Sequence, residues 1–85
     1  MTRYRIEVWR TDTNATVIRK HINENCKLCA VKKAVIMANG YRTGMHLPED
    51  TVRWSLSGLY GHLNGWMILH HSGQPIAGLG FRHGH

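Results

Sequence analysis

Alternating hydrophobic and polar residues open the chain. In residues 4–10 every second side chain is apolar, which is typical of a strand with one buried face. The inward set is Tyr4, Ile6 and Val8, and the outward set is Arg3, Arg5, Glu7 and Trp9. Residues 16–22 alternate in the same way after a stretch with Asp12 and Asn14, which favour turns. The two segments predict an N-terminal hairpin.

The pattern then changes to a helical period. Residues 25–40 contain three alanines and no proline, so we predict a helix capped by Asn25 and ended by Gly40. At 100° per residue the predicted core face consists of Leu28, Val31, Ala34, Val35 and Ala38. On this assignment a Val35→Asp substitution is expected to unfold the domain, because it buries an unpaired charge.

The opposite face of this helix is less polar than a solvated face usually is. It holds Cys29, Lys32, Lys33 and Ile36, with Cys26 and Met37 at its edge. Two interpretations remain open. Lysine stems or a loop cover the apolar groups, or the face is a contact surface of mixed apolar and basic character.

Strand patterns return after the helix. Residues 41–50 read as a loop, and residues 51–57 alternate with Val52, Trp54 and Leu56 inward. Residues 58–63 fit either a bulged continuation of that strand or a helical turn. Asn64-Gly65 predicts a tight hairpin turn into a strand at 66–71, which we expect to be central because it is the most apolar. A turn at 72–75, a last strand at 76–81 and a frayed tail at 82–85 complete the reading.

The order of elements is therefore ββ–α–βββ. It predicts a single α+β domain over residues 1–85, with an antiparallel sheet of four to five strands and one helix packed on one face. A chain of 85 residues is too short to build a second core.

Composition adds a bias towards anionic partners. Eleven Lys and Arg face five Asp and Glu, which gives a net charge of +6. This balance favours nucleic acid, an acidic protein surface or a nucleoprotein complex, although spread charge also serves as a solubilising surface. No apolar run reaches the ~20 residues of a membrane span, and no signal segment follows Met1, so we expect a cytoplasmic protein without a membrane partner.

Cys26 and Cys29 form a CxxC motif at the predicted helix start. A redox dithiol is one interpretation, since a helix N-terminus lowers a thiol pKa. The chain is as short as glutaredoxins but lacks their Thr-Val-Pro segment and later Gly-Gly pair. Zinc would need two more ligands, for which His21 and the His70–His71 pair are the candidates. The sequence favours reduced cysteines that act as small apolar residues, and we expect no metal or other cofactor.

The remaining polar residues give little support for catalysis. His70 and His71 are adjacent on a predicted strand, so their rings point to opposite faces and cannot chelate one metal. His70 is expected to share a face with Trp66 and Ile68. No serine stands in a Gly-x-Ser-x-Gly elbow, and Glu49-Asp50 reads as a solvated loop pair. We therefore expect a protein that is not an enzyme.

The arrangement of elements resembles small phage-encoded inhibitor proteins of the anti-CRISPR kind. The resemblance lies in the alternating residues 4–9, the alanine-rich helix at 30–38 and the hairpin strand at 64–69. It implies a non-enzymatic protein that binds a host protein or ribonucleoprotein complex, such as a CRISPR effector, in the host cytoplasm. It carries over no functional residue.

Two functions follow for testing. The first is an inhibitor that binds a nucleic-acid-processing complex; its candidate contacts are Arg3, Arg5, Trp9, Lys32, Lys33 and Ile36. The alternative is a small basic module that binds DNA or RNA directly, with Lys and Arg on phosphates and Trp9 or Tyr41 on bases. A homodimer is compatible with either function.

Overall fold

One antiparallel sheet with a single long helix on one face forms the fold, as the order of elements predicts. The computed structural model describes residues 2–60, 65–72 and 74–75. The strands are β1 (Thr2–Arg10), β2 (Thr16–Glu24), β3 (Val52–Tyr60), β4 (Gly65–His71) and β5 (Gln74–Pro75). The helix α1 spans Lys27–Gly44, and a 3₁₀ turn at Glu49–Thr51 precedes β3. The strand order in the sheet is β2-β1-β3-β4-β5.

The N-terminal hairpin has the predicted faces from Tyr4 to Val8 and from Ile18 to Ile22; beyond them a bulge at Val17 pairs Thr16 with Trp9 and turns Thr16 to the other face. Tyr4 pairs with Ile22 and Val8 with Ile18, so the apolar sets of β1 and β2 lie on the same side of the sheet. The turn between the strands places Asn14 at φ 59°, a left-handed conformation that asparagine tolerates. Both strands are longer than predicted, since pairing continues to Thr2 opposite Glu24.

The hydrophobic core lies between α1 and this side of the sheet. It is built from β1, β3 and α1, with Ile22 and Leu69 from the flanking strands β2 and β4. Its buried members are Tyr4, Ile6, Val8, Ile22, Ala30, Ala34, Ala38, Val52, Trp54, Leu56 and Leu69. The predicted inward residues of β1 and β3 are therefore confirmed.

Both predicted helix ends are wrong. Cys26, not Asn25, is the N-cap: its backbone is extended, and its sulfur accepts a hydrogen bond from the backbone N–H of Cys29. At the other end the helix continues through Gly40 to Gly44, so the first four residues of the predicted loop at 41–50 are helical. Tyr41 packs against the core, which gives the added turn an apolar contact.

The predicted core face of the helix is correct for Ala34 and Ala38 but wrong for Leu28 and Val35. The buried residues are Ala30, Ala34 and Ala38, spaced four apart, while Val31 and Met37 are half-buried beside them. Leu28 is 63% exposed and Val35 is 36% exposed. Because alanine has the smallest apolar side chain, a row of alanines lets the helix axis lie close to the sheet, and the larger residues are turned outward.

The C-terminal half corrects two further predictions. The ambiguous segment after residue 57 continues β3 as far as Tyr60. The strand predicted to be central, now β4, lies near an edge, because β1 and β3 occupy the middle of the sheet. Leu69 of β4 is buried, whereas Met67 and Ile68 are exposed. Gln74 and Pro75, predicted as part of a turn, pair with β4 as the two-residue strand β5.

An irregularity in the pairing of β3 with β4 changes the face of His70. Leu56 lies opposite His70, but its neighbour Ser57 lies opposite Ile68, so Leu69 is an extra residue in β4. His70 consequently shares the helix side with Leu56 and contacts Trp54, with ring centroids 5.2 Å apart. The prediction that His70 shares a face with Trp66 and Ile68 is wrong for this reason. The opposite orientation of His70 and His71 is retained, since His71 pairs with Ser55.

Three predictions lie outside the described residues. These are the Asn64-Gly65 turn at Asn64, the last strand at 76–81 and the frayed tail at 82–85. In the described part of the chain, no helix is both long and apolar enough to cross a membrane.

Candidate binding surfaces and an exposed dithiol

The predicted contact residues fall on two separate surfaces. Arg3, Arg5 and Trp9 alternate with the core residues of β1 and so lie on the side of the sheet away from α1, which we call the second face. Lys32, Lys33 and Ile36 are exposed on α1. Because the sheet lies between the two sets, they cannot form one site.

The outer side of α1 carries an apolar and basic stripe. Leu28, Lys32, Val35 and Ile36 are spaced four, three and one residues apart and therefore follow one side of the helix. We call these four residues the α1 stripe. Ile36 is 69% exposed and Leu28 is 63% exposed, so the stripe presents aliphatic groups directly to solvent. The sequence had identified Lys32 and Ile36 but had assigned Leu28 and Val35 to the core.

The two lysines of α1 differ in their surroundings. Lys33 forms an ion pair with Glu24 at the end of β2. Lys32 makes no ion pair with a carboxylate among the described residues. Lys32 is therefore the lysine of this pair whose charge is available to a partner, and Lys33 is bound to its own domain.

A charge network occupies the second face of the sheet. The Oε2 atom of Glu7 accepts a hydrogen bond from Arg19 Nε at 2.9 Å and lies 2.8 Å from Arg19 Nη2. The Nε of Arg5 lies 4.0 Å from the other oxygen of Glu7. Register explains the arrangement, since Glu7 pairs with Arg19 across β1 and β2 and lies two residues from Arg5. The Glu7 carboxylate thus holds Arg19 by a hydrogen bond and lies near Arg5 without forming a hydrogen bond to its Nε.

Trp66 is a second-face residue that the contact predictions missed. The guanidinium carbon of Arg5 lies 4.9 Å from the centre of its ring, a cation–π distance. The centre of the His21 ring, on β2, lies 5.3 Å from the centre of the Trp66 ring. Trp66 is on β4 and His21 is on β2, with β1 and β3 between them, so only the strand order of the sheet brings the three residues together. No local sequence signal could have indicated this cluster.

A cleft of about 390 Å³ opens between the C-terminal half of α1 and the start of β3. Its lining includes Arg42, Glu49 and Arg53, with Trp54 and Ser72. The Ser72 hydroxyl accepts a hydrogen bond from the backbone N–H of Trp54 at 3.1 Å. The cleft therefore has mixed charge and room for a small polar group, and its serine is already engaged in backbone pairing.

The CxxC motif forms an exposed dithiol at the start of α1. The two sulfur atoms lie 2.9 Å apart, and the Cys29 backbone N–H donates to Cys26 Sγ at 3.3 Å. The hydrogen bonds from the Cys29 thiol and then from this N–H lower the pKa of Cys26. The same thiol contact, followed by partial desolvation, raises the pKa of Cys29. The pair is thus chemically asymmetric.

The proposed zinc ligands do not come together. His21 lies on β2 against Trp66, and His70 lies against Trp54. Within residues 2–60, 65–72 and 74–75, no three His, Cys, Asp or Glu side chains are grouped as a metal ion requires. Both cysteines are exposed, so neither contributes to the packing of the core.

Comparison with known protein families, with curated proteins and with solved structures finds no match to this chain.

Proposed function

We propose that this protein is a non-enzymatic binding protein that docks through the α1 stripe on a protein partner. The partner surface is apolar at its centre and carries carboxylates beside Lys32. The observation that carries the proposal is the exposure of Leu28, Val35 and Ile36 in one row of the helix. Exposed aliphatic side chains that are contiguous mark interaction surfaces, whereas scattered ones do not.

The geometry of the stripe supports a groove as the partner site. Anchor residues spaced three and four apart on one side of a helix are the pattern by which helices enter apolar grooves. Leu28 and Val35 lie seven residues apart, two turns along one side of α1, with Ile36 beside Val35. Lys32 supplies the intermediate position, four residues after Leu28 and three before Val35. Lys32 lies inside the row, so a carboxylate on the partner would meet it at the centre of the contact.

The charge pairs support a protein partner over direct nucleic-acid binding. Glu7 holds Arg19, Asp12 holds Arg10, and Glu24 pairs with Lys33. Cations engaged by carboxylates of their own domain contribute less to phosphate binding, which depends on releasing counterions from nucleic acid. Arg10, Arg19 and Lys33 are therefore three of the eleven Lys and Arg side chains that contribute less to such binding.

The identity of the partner rests on the resemblance in the order of elements. On that basis the partner belongs to a host nucleic-acid-processing complex, such as a CRISPR effector, and the protein acts as an inhibitor by occupying a nucleic-acid or partner site. Binding to an acidic protein surface of such a complex fits the basic charge of the chain.

The test is co-purification from nuclease-treated bacterial lysate with the wild type and two charge-matched variants, Lys32→Glu on the α1 stripe and Arg3→Glu on the second face. A third variant, Ile36→Asp, removes an apolar anchor. We expect Lys32→Glu and Ile36→Asp to weaken capture of the same protein by tenfold or more, since a central anchor contributes at least about 1.4 kcal/mol. Arg3→Glu should leave capture unchanged.

Two results would contradict this function. Capture that is lost with Arg3→Glu and retained with Ile36→Asp would move the contact to the second face. Recovery of nucleic acid alone, with an affinity that falls steeply with salt, would establish the alternative of a DNA- or RNA-binding module. The juxtaposition of Trp9 and Arg53 across β1 and β3 is the feature that favours this alternative, because it places an aromatic ring beside a cation.

A further inference from the structure

The first turn of α1 places two thiols in contact at the surface of the domain. Cys26 is the N-cap and Cys29 follows three residues later, so the start of the helix turns both side chains to the same side. Their sulfur atoms are 2.9 Å apart, and both residues are exposed. An oxidant in solution therefore reaches either sulfur, and the second sulfur is already in place to respond.

From this contact we propose that Cys26 and Cys29 are a redox-active dithiol, which low-molecular-weight disulfides oxidise to an intramolecular disulfide with Cys26 as the attacking thiol. This activity is separate from the docking function proposed for the α1 stripe. It concerns Cys26 and Cys29, which the sequence analysis interprets as small apolar residues without a chemical role.

The asymmetry of the pair assigns the two roles. Cys26 Sγ accepts a hydrogen bond from the backbone N–H of Cys29 at 3.3 Å. This donor stabilises a thiolate on Cys26 but not on Cys29. The lowered pKa of Cys26 and the raised pKa of Cys29 agree with this assignment. Glu24 on β2 opposes ionisation of both thiols, and its ion pair with Lys33 offsets part of that effect.

The exchange balances with a disulfide RSSR as the oxidant. The Cys26 thiolate attacks one sulfur of RSSR, the S–S bond breaks, and RS⁻ leaves with the electron pair of that bond. Cys29 then loses its proton and attacks Cys26 Sγ, which breaks the mixed disulfide and releases the second RS⁻. The protein dithiol is oxidised by two electrons and RSSR is reduced to two RSH, which carry the two protons.

The test uses oxidised glutathione as the probe and three proteins: the wild type, Cys26→Ser and Cys29→Ser. Serine is also a good N-cap, so Cys26→Ser keeps the helix start, and circular dichroism checks that each variant is folded. Free thiols are counted with a maleimide reagent, and adducts are identified by intact mass. Dithiothreitol is added at the end to test reversal.

Each protein has a distinct expected result. The wild type loses both thiols, gains no lasting glutathione adduct, stays monomeric on a non-reducing gel and recovers both thiols with dithiothreitol. Cys29→Ser accumulates a stable adduct on Cys26, because no second thiol resolves it. Cys26→Ser reacts roughly tenfold more slowly, because its remaining thiol lacks the N–H donor that favours a thiolate.

Three outcomes would overturn the proposal. The wild type could retain a glutathione adduct, form disulfide-linked dimers or keep both thiols under conditions that oxidise a control CxxC dithiol. Equal rates for the two serine variants would remove the assigned roles. None of these results depends on whether the α1 stripe binds a partner, so failure here is distinguishable from failure of the docking function.

Discussion

The pKa of His70 illustrates how neighbouring residues determine the protonation of one side chain. The His70 ring packs on Trp54 on the helix side of the sheet, where burial is the main cause of a pKa below the ordinary value of 6.5. The charges of His71 and Lys27 lower the pKa of His70 further. The neutral ring is therefore the form that the folded state favours.

A loss of stability in mild acid follows from this shift. Between the folded pKa of His70 and 6.5, the unfolded chain binds more protons than the folded chain. The stabilisation is thus present above pH 6.5 and is lost as the pH falls through that value towards the folded pKa. We expect Tm to drop between about pH 7.5 and about pH 5.5.

The matched variants for this prediction are His70→Phe and His46→Asn. Phenylalanine keeps a ring against Trp54 but does not titrate, so the drop in Tm should become smaller. His46 is exposed at a left-handed position that asparagine tolerates, so His46→Asn should retain the full drop. An unchanged drop in His70→Phe would show that other groups control the acid response.

At the scale of the element, α1 shows how a helix with apolar residues on several sides chooses its buried face. Ala30, Ala34 and Ala38 form the contact with the sheet, and the larger Leu28, Val35 and Ile36 remain outside. Hydrophobicity alone favours burial of the larger residues. The large side chains of Tyr4, Ile6, Trp54 and Leu56 already cover this side of the sheet, so only small helix side chains fit between them and the helix backbone.

This choice reverses the substitution result expected from the sequence. Ala34→Asp should unfold the domain or cost at least about 3 kcal/mol, because it places an unpaired charge in the core. Val35→Asp should remain folded and cost less than about 1 kcal/mol, mainly through helix propensity. Urea unfolding followed by circular dichroism compares the two. A folded Ala34→Asp together with an unfolded Val35→Asp would restore the sequence-based helix face.

At the scale of the whole molecule, stability depends on the central strands. β1 and β3 are each paired on both sides, and they supply Ile6, Val8 and Leu56, which are fully buried. A domain of 85 residues has little stability to lose, since it buries a smaller part of its surface than a large protein does. Single truncations in the centre of the sheet are therefore expected to have large effects.

Two leucines on β3 test this expectation. Leu56→Ala should cost about 2–5 kcal/mol, because it removes buried methyl groups and leaves a cavity. Leu59, on the same strand, is 43% exposed, so Leu59→Ala should cost less than about 1 kcal/mol. Thermal unfolding measures both, at about 4–8 °C for each kcal/mol in a domain of this size. Similar shifts for the two variants would contradict the assignment of Leu56 to the buried core and of Leu59 to an exposed position.

Local sequence patterns were sufficient to predict α1 and the strands β1 to β4 in their order along the chain. Strand alternation in β1 and β3 and the alanine spacing in α1 are local signals, because side-chain periods of 2 and 3.6 depend only on the backbone conformation of each segment. The ββ–α–ββ order of β1 to β4 and the inward residues Ile6, Trp54 and Leu56 could therefore be predicted, whereas β5 lies on residues predicted to be a turn. The exposed position of Lys32 and Ile36 followed from the same helical period.

The surfaces and side-chain contacts of the folded protein depend on strand pairing and helix packing, which only the tertiary structure shows. The strand order puts Trp66 beside Arg5 and His21, and the extra residue Leu69 turns His70 towards Trp54. The close fit of the alanine row to the sheet exposes Leu28 and Val35 and so creates the α1 stripe. These features depend on pairing and packing between segments distant in sequence, for which a local hydrophobic period carries no information.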